Sequence, residues 1–113
     1  MTEYNPFRAA FNDLECKDLV ALRDATEGWY VEYKEELPIA KKIATSISSF
    51  ANSYGGWLFY GVKENRQLFT AGEFIGLSTA TLDESLQRVR SAIATCINPE
   101  CYYQIKVLKW PRT

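Results

Sequence analysis

The chain has 113 residues, with 13 Lys and Arg against 14 Asp and Glu, a net charge of −1, three cysteines and no histidine. That length suits one domain able to bury an ordinary core without a metal or a disulfide. Near-neutral charge excludes a global basic footprint for phosphate backbones, and the missing histidine excludes Ser-His-Asp and Cys-His catalysis and most zinc sites.

Residues 1–13 carry Pro6 and little periodicity and read as a lead-in or an arm that packs on something else, with the domain proper over 14–113. Asn12 followed by Glu15 resembles a capping arrangement, and Leu14, Leu19 and Leu22 then predict a short helix ending near Thr26. Gly28 marks a break. Trp29, Val31 and Tyr33 alternate with Tyr30, Glu32 and Lys34, as a half-buried strand requires. After Pro38, the recurrence of Ile39, Ile43, Ile47, Phe50 and Tyr54 at steps of three and four predicts a helix over 38–54, with Gly55 as a left-handed cap.

Trp57-Leu58-Phe59-Tyr60-Gly61-Val62 is apolar on both faces and predicts a central strand covered on each side. Glu64-Asn65-Arg66-Gln67 reads as a turn, and Leu68 to Leu77 as the return strand. Thr81 with Glu84 forms a capping box for a second long helix buried through Leu82, Leu86, Val89 and Ile93, stopped by Asn98-Pro99. Tyr103, Ile105 and Val107 alternate with Gln104, Lys106 and Leu108, which predicts a last strand. Helix, strand, helix, strand, strand, helix, strand is the order of an α/β sandwich with a mixed sheet.

The odd cysteine count, Cys16, Cys96 and Cys101, fits a reducing compartment, and Cys96 and Cys101 lack the two-residue spacing of a redox or metal pair. No basic-plus-apolar signal opens the chain and no apolar run approaches the roughly 20 residues of a membrane span, so a cytoplasmic protein without a membrane partner is expected.

Three groups of residues bear on chemistry. The helix end and glycine turn Asn52 to Gly56 bring backbone amides and small residues together, where a phosphate or base can approach, although a tight turn needs glycine for geometry alone. Gly56 to Gly61 has the four-residue gap of a phosphate-binding loop, but an apolar strand fills it and Val62-Lys63-Glu64 replaces the Gly-Lys-Ser/Thr ending. Glu27, Glu32 and Lys34 form a second group: two carboxylates and a lysine can bind Mg²⁺ or Mn²⁺ and stabilise a phosphoryl transition state. Glu27 and Glu32 are five apart, on opposite faces of a straight strand, so a shared site needs a kink at Gly28. The plain alternative is an exposed Glu32–Lys34 ion pair. Thirdly, the basic residues form no single run: Lys41 and Lys42 open the long helix, Lys63 and Arg66 flank a turn, Arg88 and Arg90 lie on the second helix and Lys106 and Lys109 on the last strand. Basic and aromatic residues interleave in Trp29-Tyr30 to Tyr33-Lys34 and in Tyr102-Tyr103 to Lys109-Trp110, as nucleic-acid surfaces and half-exposed sheets both show.

Glu27-Gly28-Trp29-Tyr30-Val31-Glu32-Tyr33-Lys34, then Phe50-Ala51-Asn52-Ser53-Tyr54-Gly55-Gly56, then the strand ending Gly61-Val62, resemble the Schlafen AlbA-type domain over about residues 14 to 110. The resemblance implies an Alba-like α/β fold with two long helices that binds nucleic acid, DNA or RNA, as a regulatory module of a larger transcriptional-regulator-like protein. Its nucleic-acid contacts are then expected from Lys34, Lys41, Lys42, Asn52, Gly55, Gly56 and Lys63. In the branch that cuts RNA, the acidic positions map to Glu27 and Glu32, which would hold Mg²⁺ or Mn²⁺. A third carboxylate follows the Gly-Val, where this chain has Lys63. Glu64 is next, but a one-residue shift in a strand reverses the side chain's face, which argues against nuclease activity. The family continues with one more strand after the segment matching Tyr103 to Lys109. An open sheet edge is therefore expected, to be completed by a second copy or a further domain, and an assembly role is the third reading.

Overall fold

The computed structural model describes residues 4–28, 30–51, 55–96 and 103–109. Trp29, Asn52 to Tyr54 and the expected stop at Asn98-Pro99 lie outside the described residues.

Alternation sets the first strand. In β1 (Val31–Lys34), Val31 and Tyr33 are buried while Lys34 is exposed. It pairs in parallel with β2 (Trp57–Tyr60), Val31 opposite Trp57 and Lys34 opposite Tyr60. Parallel strands need a crossover, and the helix α1 (Ala40–Ala51) supplies it. The Ile39 carbonyl accepts the first N–H bonds, from Lys42 at 3.0 Å and Ile43 at 3.2 Å, so α1 begins after Pro38 rather than on it. Gly55, at φ +88°, donates to the Phe50 carbonyl at 2.9 Å, the bond of a left-handed cap.

The expected single strand Trp57 to Val62 is broken at Gly61. That residue takes φ +88°, and β3 (Val62–Asn65) starts a separate antiparallel pair with β4 (Thr70–Phe74). The parallel and antiparallel pairings of a mixed sheet are thus both present, in two two-stranded sheets. Gly61 donates to the Lys34 carbonyl at 2.7 Å and accepts at its own carbonyl from Ile75 at 2.9 Å and Gly76 at 2.8 Å. The turn expected at Glu64 begins at Arg66 instead, because the Asn65 side-chain oxygen accepts from the N–H groups of Gln67 at 3.0 Å and Leu68 at 3.2 Å.

The helix expected before Thr26 is two 3₁₀ helices, Phe11–Asp13 and Cys16–Asp24. Cys16, Leu19 and Leu22 recur every three residues, which aligns them on one face at three residues per turn; Cys16 and Leu22 are buried and Leu19 packs against the core. The Glu15 N–H donates to the Asp18 carboxylate at 2.8 Å, in place of the expected Asn12–Glu15 cap. Before α2 (Leu82–Cys96), Ser78 rather than Thr81 caps: its hydroxyl accepts from the Ala80 N–H at 3.2 Å at the start of a short 3₁₀ turn.

Two cores result. Phe7, Leu14, Leu22, Ala25, Val31, Tyr33, Val62 and Ala71 form one on the face of β1 and β2 that also carries Trp57 and Phe59. Ile43, Ala44 and Ala92 form the other between the long helices, with Tyr60 packed against it. The N-terminal stretch lies on the first: Phe7 is buried, and the Trp57 indole N–H donates to the Tyr4 carbonyl at 2.9 Å. Residues 103–109, expected as a strand, are not paired as one. They line a cavity of about 750 Å³ together with β2, and the segment is held by Lys106 donating to the carbonyls of Phe11 at 3.0 Å and Asn12 at 2.7 Å.

Gly61 joins the two sheets under a double constraint, a left-handed backbone and a Cβ position 2.9 Å from the Gly76 backbone. Gly61→Ala is expected to lower unfolding free energy in urea by roughly 1–3 kcal/mol; unchanged stability would contradict this placement.

Candidate functional site

The edge of β1 that faces away from β2 carries the Tyr33 N–H and the Val31 carbonyl. No strand covers that edge among the described residues. The chain bends back at Gly28, so that the Glu27 carboxylate accepts from the Tyr33 N–H at 2.9 Å and the Gly28 N–H donates to the Val31 carbonyl at 2.9 Å. The kink that a shared acidic site requires is therefore present. A second tie fixes it, since the Glu27 N–H donates to the Phe69 carbonyl at 2.6 Å.

Glu64 on β3 lies close enough to Glu27 for the Glu27 charge to act on its carboxyl. Burial pushes the Glu64 carboxyl up, the Glu27 charge pushes it further, and Arg66 and Lys34 pull it partly back. The face expected for Glu64 is thus reversed. Its β3 register shifts between Lys63 and Glu64, and an irregularity of that kind turns a side chain that a straight strand would send the other way. Lys63 is exposed, with Glu73 as its cross-strand partner.

Glu32 goes elsewhere. It lies on the face of β1 opposite Val31 and Tyr33, near Tyr60, whose hydroxyl is pushed up to about 12 by burial and by the Glu32 charge. The Glu32 Oε2, Glu64 Oε2 and Tyr60 hydroxyl oxygens are buried and lack a hydrogen-bond partner. Among the described residues no three acidic, histidine or cysteine side chains gather into a set that could hold a metal ion. Glu27, Glu32 and Glu64 therefore do not fit the three-carboxylate metal centre that the resemblance implies, and Glu27 spends one oxygen on the Tyr33 amide.

The expected cationic residues are placed as follows. Lys34 at the end of β1 and Arg66 at the start of the hairpin loop are both exposed, and both act on Glu64. Lys41 and Lys42 are exposed on the first turn of α1. Among the described residues the ion pair found within 4.0 Å is Lys17 with Glu15, so Lys34, Lys41, Lys42, Lys63 and Arg66 make none. The expected Glu32–Lys34 pair is absent. Gly55 and Gly56 are exposed; Gly55 serves the cap, and a Cβ on Gly56 would overlap the Phe50 ring. Asn52 lies outside the described residues. Residues missed by sequence reasoning are Tyr60, which a two-sided apolar strand conceals, and Phe69. A four-residue loop without Gly or Asn at its last position is the signal that marks Phe69.

A family model described as Schlafen, AlbA_2 matches residues 27–113. No curated protein and no solved structure matches the chain. No helix among the described residues is long and apolar enough to cross a membrane.

A carboxyl raised in the folded state binds its proton more tightly there than in the unfolded chain. Stability is then highest below the ordinary glutamate value of 4.5 and falls as pH rises through the raised value. Glu64→Gln is expected to raise the thermal midpoint at neutral pH and to leave it nearly unchanged at about pH 4. Equal midpoints for variant and wild type at both pH values would contradict the raised Glu64 carboxyl.

Proposed function

The chain belongs to the Schlafen AlbA_2 family, and from that premise we propose that it is a nucleic-acid-binding module whose contact surface is built on Lys34, Lys63 and Arg66, with Lys41 and Lys42 extending it. The family is usually nucleic-acid-related. The observation that carries the reading is that these cations are exposed and, among the described residues, form no ion pair within 4.0 Å, in a chain whose net charge is −1. Uncompensated local charge is what a phosphate backbone requires when global charge supplies nothing.

The role fits a regulatory DNA- or RNA-binding unit that holds its target without cutting it. Glu27 is engaged with the Tyr33 amide, and Glu32 stands apart from it beside Tyr60. A metal-dependent ribonuclease of Schlafen type is the competing reading, supported by the partnerless oxygens of Glu32 and Glu64.

Few phosphates can be neutralised, so binding is modest and salt-sensitive. Single- and double-stranded DNA and RNA titrated at low and moderate salt should show affinity falling steeply as salt rises. Replacing Lys34 and Lys63 together by Gln should flatten the log–log salt slope by about 2. Absence of binding to every one of these at low salt would overturn the proposal. Mn²⁺- or Mg²⁺-dependent cleavage of structured RNA that Glu32→Gln abolishes would replace it with the ribonuclease reading.

A further inference from the structure

The loop between β3 and β4 has features that the fold alone does not need. Its four residues, Arg66 to Phe69, connect Asn65 and Thr70, which face each other in the ladder. Leu68 is 62% exposed and Phe69 is 58% exposed. Phe69 also takes φ +58°, the sole positive φ of a non-glycine residue among those described. That backbone suits Gly or Asn, and a bulky side chain there is an outlier that calls for a reason. Burial is not the reason, because the ring is in solvent.

The loop is nonetheless held firmly. The Asn65 side-chain oxygen takes the Gln67 and Leu68 N–H groups, the Phe69 N–H donates to the Asn65 carbonyl at 2.7 Å, and the Phe69 carbonyl takes the Glu27 N–H at 2.6 Å. An aromatic ring is thus presented on a braced backbone tied to Glu27, with Arg66 at the other end of the same four-residue loop and Lys34 one residue beyond Tyr33, whose N–H the Glu27 carboxylate accepts. Braced aromatics beside unpaired cations are the two components of single-strand binding: the π-face takes a base and the cations take the flanking phosphates. An apolar protein partner would have to desolvate the exposed charges of Arg66 and Lys34.

We propose that Phe69 is a base-stacking residue, receiving one unpaired base of a single-stranded nucleic acid while Arg66 and Lys34 contact the adjacent phosphates. The inference rests on the nucleic-acid reading above and narrows it to an unpaired target.

The test uses the full chain, short single-stranded oligonucleotides, and the variants Phe69→Asn, Phe69→Leu and Phe69→Tyr. Asn accepts the left-handed backbone, so Phe69→Asn should melt no lower than wild type while binding roughly tenfold more weakly. Its salt slope should not change, because no phosphate contact is lost. Phe69→Leu keeps apolar bulk and should be as weak as the Asn variant, whereas Phe69→Tyr should bind within about twofold of wild type, as a retained ring requires. Single-strand affinity within about twofold of wild type for both Phe69→Asn and Phe69→Leu overturns the stacking role and leaves the cationic surface standing. Wild-type protein that binds no nucleic acid overturns both.

Discussion

One carboxylate stands where the two sheets, the bent chain and the cationic surface meet. Glu27 satisfies the Tyr33 amide on the uncovered edge of β1, and its own N–H is bound by the tip of the β3–β4 hairpin at Phe69. A buried edge amide without a partner costs on the order of 1–3 kcal/mol, so this side chain does what a neighbouring strand would otherwise do. The two two-stranded sheets are joined here by a side chain and at Gly61 by a backbone pivot, rather than by a continuous ladder. Tyr33 is anchored from its far end as well, where its hydroxyl donates to the Ala25 carbonyl at 2.5 Å.

That arrangement gives the charges their meaning. Glu64 is drawn toward Glu27 by the register shift in β3, and two neighbouring carboxyls cannot both ionise without cost. Burial and the Glu27 charge raise the Glu64 carboxyl, while Lys34 and Arg66 pull it partly back. Lys34, Lys63 and Arg66 are exposed in a chain with more acids than bases, so any basic footprint is local. Glu32, separated from the pair and set beside Tyr60, is the residue that distinguishes this geometry from a converged acidic centre.

Much of this was legible in the sequence, for identifiable reasons. The alternation of Val31 and Tyr33 with Glu32 and Lys34 has the period of a strand, and Ile43 and Ile47 have the period of a helix face, so β1, α1 and the α/β class could be read directly. The Gly55 cap followed from glycine chemistry. By contrast, an apolar run such as Trp57 to Val62 says that both faces are covered, not that the ladder partner changes within it, so the break at Gly61 was hidden. The Glu64 orientation was hidden for a related reason, because period-two reasoning assumes a regular register and the shift after Lys63 removes it. Residues 103–109 have strand alternation, but pairing is decided by a partner edge, and there the segment is held by the Lys106 contacts to two carbonyls.

At the join between the sheets the Glu64 carboxyl is raised by burial and by the Glu27 charge beside it. Titration of the side-chain carboxyl carbons by NMR, in wild type and in Glu27→Gln, measures it directly. The account predicts that Glu64 titrates above its ordinary value of 4.5 in wild type and moves back toward it in the variant. A Glu64 that titrates at its ordinary value and ignores the loss of the Glu27 charge would contradict it.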